Sequence, residues 1–408
     1  MSKHILLALG GIAALAFAAT FPSQELQAPQ PLIALPNVGA DALIAKPIAP
    51  FVQNGIDWLA NAQLPHGGWG AGQHALQHIR DPHAVQVDPA TTAFAAMALL
   101  RAGNTLNTGQ YSSHVRKGME ILLTMIENAP QGCNITSITG TQPQTKLGQN
   151  IDVAMASQFL TKIRSTIKQD EALAKRIDKA IGVCVQKLEQ GQNADGSYAA
   201  GGWAPVLQSA MATNALEEVV ITGYQVNTSK LDMAKAYQRE NIDASSGSVR
   251  SGDAAGISLY ALASTQRASA KDARKVRDML DDDESIMMDA VEVVEVKKHL
   301  RKRGVSEEEA GMLAEAYVVN RSANEQLQND DVLNGFGNNG GEEFLSFMMT
   351  SESMVSTGTQ EWDQWHAKMT NLLSSVQNKD GSWSGQHCIT SPVFCTAAVI
   401  LTMTADRG

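Results

Sequence analysis

Apolar residues along this chain fall into two alternating kinds of segment. In residues 51–62 they share one face, with Ile56, Leu59 and Ala60 in register, the 3.6-residue period of a half-buried helix. In residues 90–102 nearly every position is apolar or small, the composition of a helix buried on all sides. The same alternation pairs 115–127 with 151–163, 172–190 with 206–222, 231–240 with 254–264, and 362–376 with 392–403. Between the last two pairs a charged stretch, 270–320, precedes one more apolar segment, 342–351. The pattern predicts an all-α fold of about six hairpins, each an outer amphipathic helix followed by an inner buried one, enough to close a ring.

Three of the joining turns share one spelling. They are Gln63-Leu64-Pro65-His66-Gly67-Gly68-Trp69, Gln192-Asn193-Ala194-Asp195-Gly196-Ser197-Tyr198 and Gln377-Asn378-Lys379-Asp380-Gly381-Ser382-Trp383. The Gly suits unusual backbone angles, and the Asp bonds nearby backbone N–H groups. The closing Trp or Tyr is expected to pack against a neighbouring hairpin. The inner helices open on strong start signals. Pro89, Pro205 and Pro392 sit where a first helical residue is expected, and Asp88, Asp253 and Ser391 are suited to N-caps. Inner helices of such a ring run parallel, so their positive N-terminal ends gather at one mouth and favour carboxylates or an anion there.

The repeated turn between helix pairs resembles the prenyltransferase and squalene/terpene cyclase repeats, over roughly residues 51–405. The resemblance implies an α/α toroid, an inner ring of helices inside an outer ring, with a central cavity. It implies an enzyme acting on an isoprenoid or similar apolar substrate. The cyclases of that family protonate an alkene with Asp-x-Asp-Asp. Here Asp281-Asp282-Asp283-Glu284 imitates it imperfectly, just after Lys271, Arg274, Lys275 and Arg277, and reads equally as a solvated helix face. The protein prenyltransferases hold zinc with Asp, Cys and His. His387 and Cys388, just before the last inner helix, with Asp88 before the first, offer those ligand types, without the family's Asp-x-Cys spacing.

Composition narrows the choices. The chain has 408 residues, a formal charge of −10 and only 5% aromatic residues. Scattered basic residues argue against a nucleic-acid partner, and few aromatics argue against stabilising carbocations with ring faces. Lys3 followed by an apolar, small-residue run from Ile5 to Ala19 reads as a secretory signal ending near residue 28, with an uncleaved anchor as the alternative. Residues 29–50 read as a linker, and 51–408 as one domain. The expected location is periplasmic or secreted. Cys133, Cys184, Cys388 and Cys395 can pair in such a compartment, Cys388 with Cys395 and Cys133 with Cys184, or remain buried thiols.

Two further segments carry polar chemistry. The insert 70–87 holds His74, His78, His83 and Asp81, and His66 precedes it. On a helix, His74 and His78 would share a face at i, i+4, suited to a surface metal or to a polar lid. In Phe336-Gly337-Asn338-Asn339-Gly340-Gly341-Glu342-Glu343-Phe344 the glycines permit close backbone approach, and Glu342 and Glu343 open an inner helix. With Asp88 and Asp253 they are the candidate catalytic residues. Cys133 lacks the Gln three residues on that a thioester needs; Thr136 stands there. Two classes remain: an enzyme on an isoprenoid-like ligand in a central cavity, or a non-catalytic envelope module binding a small apolar molecule or envelope component at the mouth.

Overall fold

The computed structural model describes residues 45–198, 201–280, 292–358 and 361–408. The expected signal 1–28, most of the linker, and Asp281, Asp282, Asp283 and Glu284 lie outside the described residues. Among those described, helices are the regular elements, and β pairing is confined to two isolated bridges, Gln73 with Thr141 and Ile242 with Val249.

Numbered in chain order, the inner helices are α2 (Pro89–Arg101), α5 (Ile151–Thr166), α7 (Pro205–Ile221), α9 (Ser258–Leu280), α13 (Gly341–Thr357) and α15 (Pro392–Met403). Their packing forms a cycle: α2 on α5, α5 on α7, α7 on α9, α9 on α13, α13 on α15, and α15 back on α2. Small side chains permit this closeness. Every residue from Pro89 to Leu99, and every residue of α15, is buried. Phe94 and Phe394 meet across the α2–α15 joint with ring centroids 4.9 Å apart.

The outer helices are α1 (Pro50–Asn61), α3 (Ser112–Glu127), α6 (Glu171–Gly191), α8 (Thr228–Arg239), α11 (Glu307–Gln326) and α14 (Glu361–Ser375). Most pack on two inner helices, as α1 does on α2 and α15, or α8 on α7 and α9. Their amphipathic faces turn inward; in α1 Ile56, Leu59 and Ala60 are buried as their spacing predicts.

The fourth and fifth hairpins depart from expectation. The helix expected over 254–264 begins at Ser258 and continues to Leu280. Asp253 therefore does not cap it, but lies exposed in a 3-10 turn, accepting a bond from the Tyr237 hydroxyl at 2.9 Å. Beyond the ring, Ala273, Val276 and Leu280 keep the helical period and bury against α10 (Val293–Lys302) and α11 in a second apolar cluster; the short α12 (Asp330–Leu333) follows α11. The charged residues of that stretch occupy the other faces.

The repeated turns show why the hairpins join. In each, the Gln side-chain amide donates to its own turn and to the next outer helix. Gln63 reaches the carbonyls of Gly67 and His114, Gln192 those of Gly196 and Lys230, and Gln377 those of Gly381 and Phe51. The aromatic then binds its own hairpin. Its backbone N–H donates to an inner-helix hydroxyl: Trp69 to Thr92, Tyr198 to Ser209, Trp383 to Thr396. Trp69 and Trp383 also donate Nε1–H to the outer-helix carbonyls of Leu59 and Leu373, both at 2.8 Å. Glycine is required where the turn meets the next helix. At Gly196, with φ +89°, a Cβ would lie 2.3 Å from the Met233 carbonyl oxygen of α8.

Candidate functional site

The starts of the inner helices meet. The Asp152 carboxylate, in the first turn of α5, accepts the Ala90 N–H at the start of α2 at 3.2 Å. The Lys146 carbonyl accepts the N–H groups of Trp203 and Ala204, just before α7. Tyr260 of α9 donates to Glu343 of α13 at 2.5 Å, and Glu342 accepts from Ile389, just before α15. These contacts set the inner helices in one direction with their positive ends at a common mouth.

Asp88 is fully occupied there. Its carboxylate caps α2 by accepting Thr91 N–H and Oγ1–H, and it also accepts Ala71 N–H, at 2.8–2.9 Å. Burial pushes it up to about 6 against those bonds. Asp152, which the sequence reading did not single out, is wholly buried beside it. Burial first and the charge of Asp88 second push it up to about 7, against bonds from Gln144, Asn134 and Ala90.

Glu342 and Glu343 are both buried at this mouth. Glu343 accepts from Gly340 N–H at 2.9 Å and Phe336 N–H at 3.2 Å, besides Tyr260. Glu342 accepts Ile389 N–H at 3.2 Å, and among the described residues its Oε1 has no hydrogen-bond partner. Burial, then the adjacent Glu343, push Glu342 up to about 8. Gly340 and Gly341 allow the 387–389 segment to lie against the helix start: a Cβ on Gly341 would stand 2.6 Å from Ile389 Cβ. His387 Nε2 donates to the Asn338 carbonyl at 2.8 Å, 3.6 Å from Glu343, and Nδ1 has no partner among the described residues. Cys388 holds a left-handed backbone, φ 56°, which non-glycine residues rarely adopt. Burial and Glu342 push its thiol up to about 12.

Among the described residues no three His, Cys, Asp or Glu side chains converge as metal ligands. The expected zinc set of Asp88, His387 and Cys388 is thus not brought together. The four cysteines are free thiols, the second of the two alternatives left by the sequence, with Cys184 and Cys395 buried and Cys133 exposed.

The insert 70–87 forms a strap over this mouth. Gln77 donates to the Cys388 carbonyl and accepts from Thr390, and Arg80 reaches Gly385 and Ser384. Gln142, at the start of α4 (Gln142–Leu147), is the clamp beneath. Its Oε1 accepts the N–H groups of Thr390 and Ser391 at 2.7 and 3.1 Å, and its Nε2 donates to Ala71 at 2.8 Å. His74 opens a three-residue 3-10 turn and bonds Gln77, while His78 lies beyond that turn. The two do not share a helix face. His66, His78 and His83 are exposed.

Next to the closed strap the mouth is open and aromatic. Trp203 and Phe336, 40% and 52% exposed, stand with ring centroids 6.0 Å apart, and Phe336 lies 5.0 Å from His387. Lys146 Nζ sits 4.5 Å above the Trp203 ring. The pocket described at the edge of the strap, lined by Gly72, Gln73, Ile79 and Ile138 among others, holds about 80 Å³.

No protein-family profile and no curated protein matches the sequence. Among the described residues no helix is long and apolar enough to cross a membrane.

Proposed function

We propose that this chain is an α/α toroid of the cell envelope that binds an amphiphilic small molecule at the mouth where its inner helices begin, without acting on it chemically. The observation that carries the reading is the ledge of Trp203, Phe336 and His387 beside Lys146. Half-exposed rings suit an apolar body, and the cation suits a polar head group. The carboxylates below it favour binding over catalysis, because Asp88, Asp152 and Glu343 are spent on caps and clamps. The cycle of inner helices and the repeated turns support the toroid. The amino-terminal signal pattern supports export.

A second reading keeps the enzyme on an isoprenoid-like substrate. It draws on Glu342, which stays protonated near neutral pH and has one free oxygen, as a general acid requires. The burial of Glu342 beneath Ile389, whose N–H it accepts, weighs against this reading.

Native mass spectrometry and metal analysis of protein from its own compartment test both. The binding reading expects a co-purifying lipid-like molecule that is lost in Trp203→Ala with Phe336→Ala and kept in Glu342→Gln. Conversion of a bound isoprenoid, abolished by Glu342→Gln, would replace it with the enzyme. An empty protein whose ledge variants behave as wild type would leave the mouth as architecture.

A further inference from the structure

At the opposite end of the ring, where the inner helices finish, charged side chains from five of them converge. Arg101 of α2 and Arg267 of α9 hold the two oxygens of Glu352 of α13 between them, the second at 3.0 Å. Arg267 also stands 3.8 Å from both Glu217 and Glu218 of α7. Lys162 of α5 pairs with Glu218 at 3.2 Å, and Lys271 with Glu218 at 3.1 Å. Lys235 of α8 pairs with Glu217 at 2.9 Å and with Asp272 at 3.3 Å. Burial pushes Glu218 upward, but Lys271, Lys162 and Arg267 outweigh it and hold the group at about 2.

Cations close the negative ends of helices, so part of this network serves the fold. It leaves donors over. Five cations face four carboxylates. Both oxygens of Glu352 are taken, while among the described residues Arg101 Nε and Nη1 and Arg267 Nη1 have no hydrogen-bond partner; neither do the two Glu217 oxygens, of which Oε2 stands 3.8 Å from Arg267 Nη1, and Arg267 is 5% exposed. A pocket of about 90 Å³ opens among these groups, lined by Arg101, Lys162, Arg267, Glu218, Glu352 and Gln158, with Ser356, Gly408 beside Arg101, and a few apolar neighbours. Buried guanidinium donors without acceptors are costly unless something accepts from them.

We propose that this pocket binds a small oxyanion, of the size of phosphate or a short carboxylate, between Arg101, Arg267 and Lys162. Guanidinium forks match the paired oxygens of such an ion, and Lys162 adds a point charge at the rim. The site is separate from the aromatic mouth, so changes at Trp203 leave it intact.

Isothermal titration of the full-length protein with inorganic phosphate, and separately with acetate, at constant ionic strength held by chloride, tests the proposal. One saturable site is expected, weakened at least about tenfold in Lys162→Gln and in Arg101→Lys, a loss of about one hydrogen-bonded ion contact. Lys162 is one-third exposed, so its variant keeps the fold even if the Arg101 variant does not. Tighter phosphate assigns a tetrahedral ion, tighter acetate a carboxylate, and each supports the site. No saturable binding of either, or equal affinity in wild type and Lys162→Gln, overturns it.

Discussion

The side-chain amide of Gln377 donates to the carbonyl of Phe51 at 2.8 Å, across 326 positions of sequence. It is the same bond that Gln63 makes to His114 and Gln192 to Lys230, so the last hairpin grips the first as the first grips the second and the third the fourth.

Gln377→Ala removes both bonds of that joint, to Phe51 and to Gly381. Each hydrogen bond contributes about 1 kcal/mol net, so unfolding in urea should shift by about 1–2 kcal/mol. An unchanged midpoint would mean that water satisfies both carbonyls equally well.

Gly196→Ala should cost more than its single methyl suggests. The left-handed backbone and the 2.3 Å approach to the Met233 carbonyl act together, and strain at such positions runs to about 1–3 kcal/mol. Thermal unfolding of this variant beside Gly223→Ala checks it. Gly223 also has a positive φ but meets nothing within 4 Å, so it should lose less.

Trp383 is fully buried, bonds Leu373, and meets the Phe51 ring edge-on at 6.1 Å. Trp383→Ala should destabilise by about 3–5 kcal/mol through the cavity left behind. Urea unfolding measures this. Wild-type stability with altered ligand content would instead make Trp383 a binding residue.

Stability should fall as pH rises from about 4 to 8. Asp88, Asp152 and Glu342 have folded-state values raised to about 6, 7 and 8. In that window the native state therefore binds more protons than the unfolded chain. The stabilisation is full below the ordinary carboxylate range and is lost as each group ionises, at about 1.4 kcal/mol per pH unit per group. Glu342→Gln should flatten the upper part of the curve, between pH 6 and 8. Chemical unfolding at several pH values reads this directly; a curve that the variant leaves unchanged would show that Glu342 titrates normally.

The repeated turns were legible because a Gly, an aromatic and a Gln recur at fixed offsets. Asp88 and Ser391 as caps, and Glu342 and Glu343 at a helix start, followed from local rules and lie where those rules put them. The double reach of each Gln was not legible, since its second acceptor is a plain backbone carbonyl. Asp253 misled because a cap-forming residue and a glycine-rich turn preceded a helix that begins five residues later. Asp152, Gln142 and the cluster around Arg267 left no local signal. Asp152 reaches Ala90 across 62 positions and Gln142 reaches Ala71 and Ser391 across 71 and 249, and the Arg267 group reads in sequence as ordinary charge near helix ends.

An open stack of hairpins must shield its first and last faces with specialised, polar end units. The contact of α15 with α2 removes that need, because every inner helix has a neighbour on both sides. The same closure ties the halves of the chain together in time. The faces that α2 and α15 turn to each other are joined only by this long-range contact, whose loop-closure entropy must be overcome before it rewards folding. Damage to this one seam should expose two greasy edges at once and favour pairing between separate molecules.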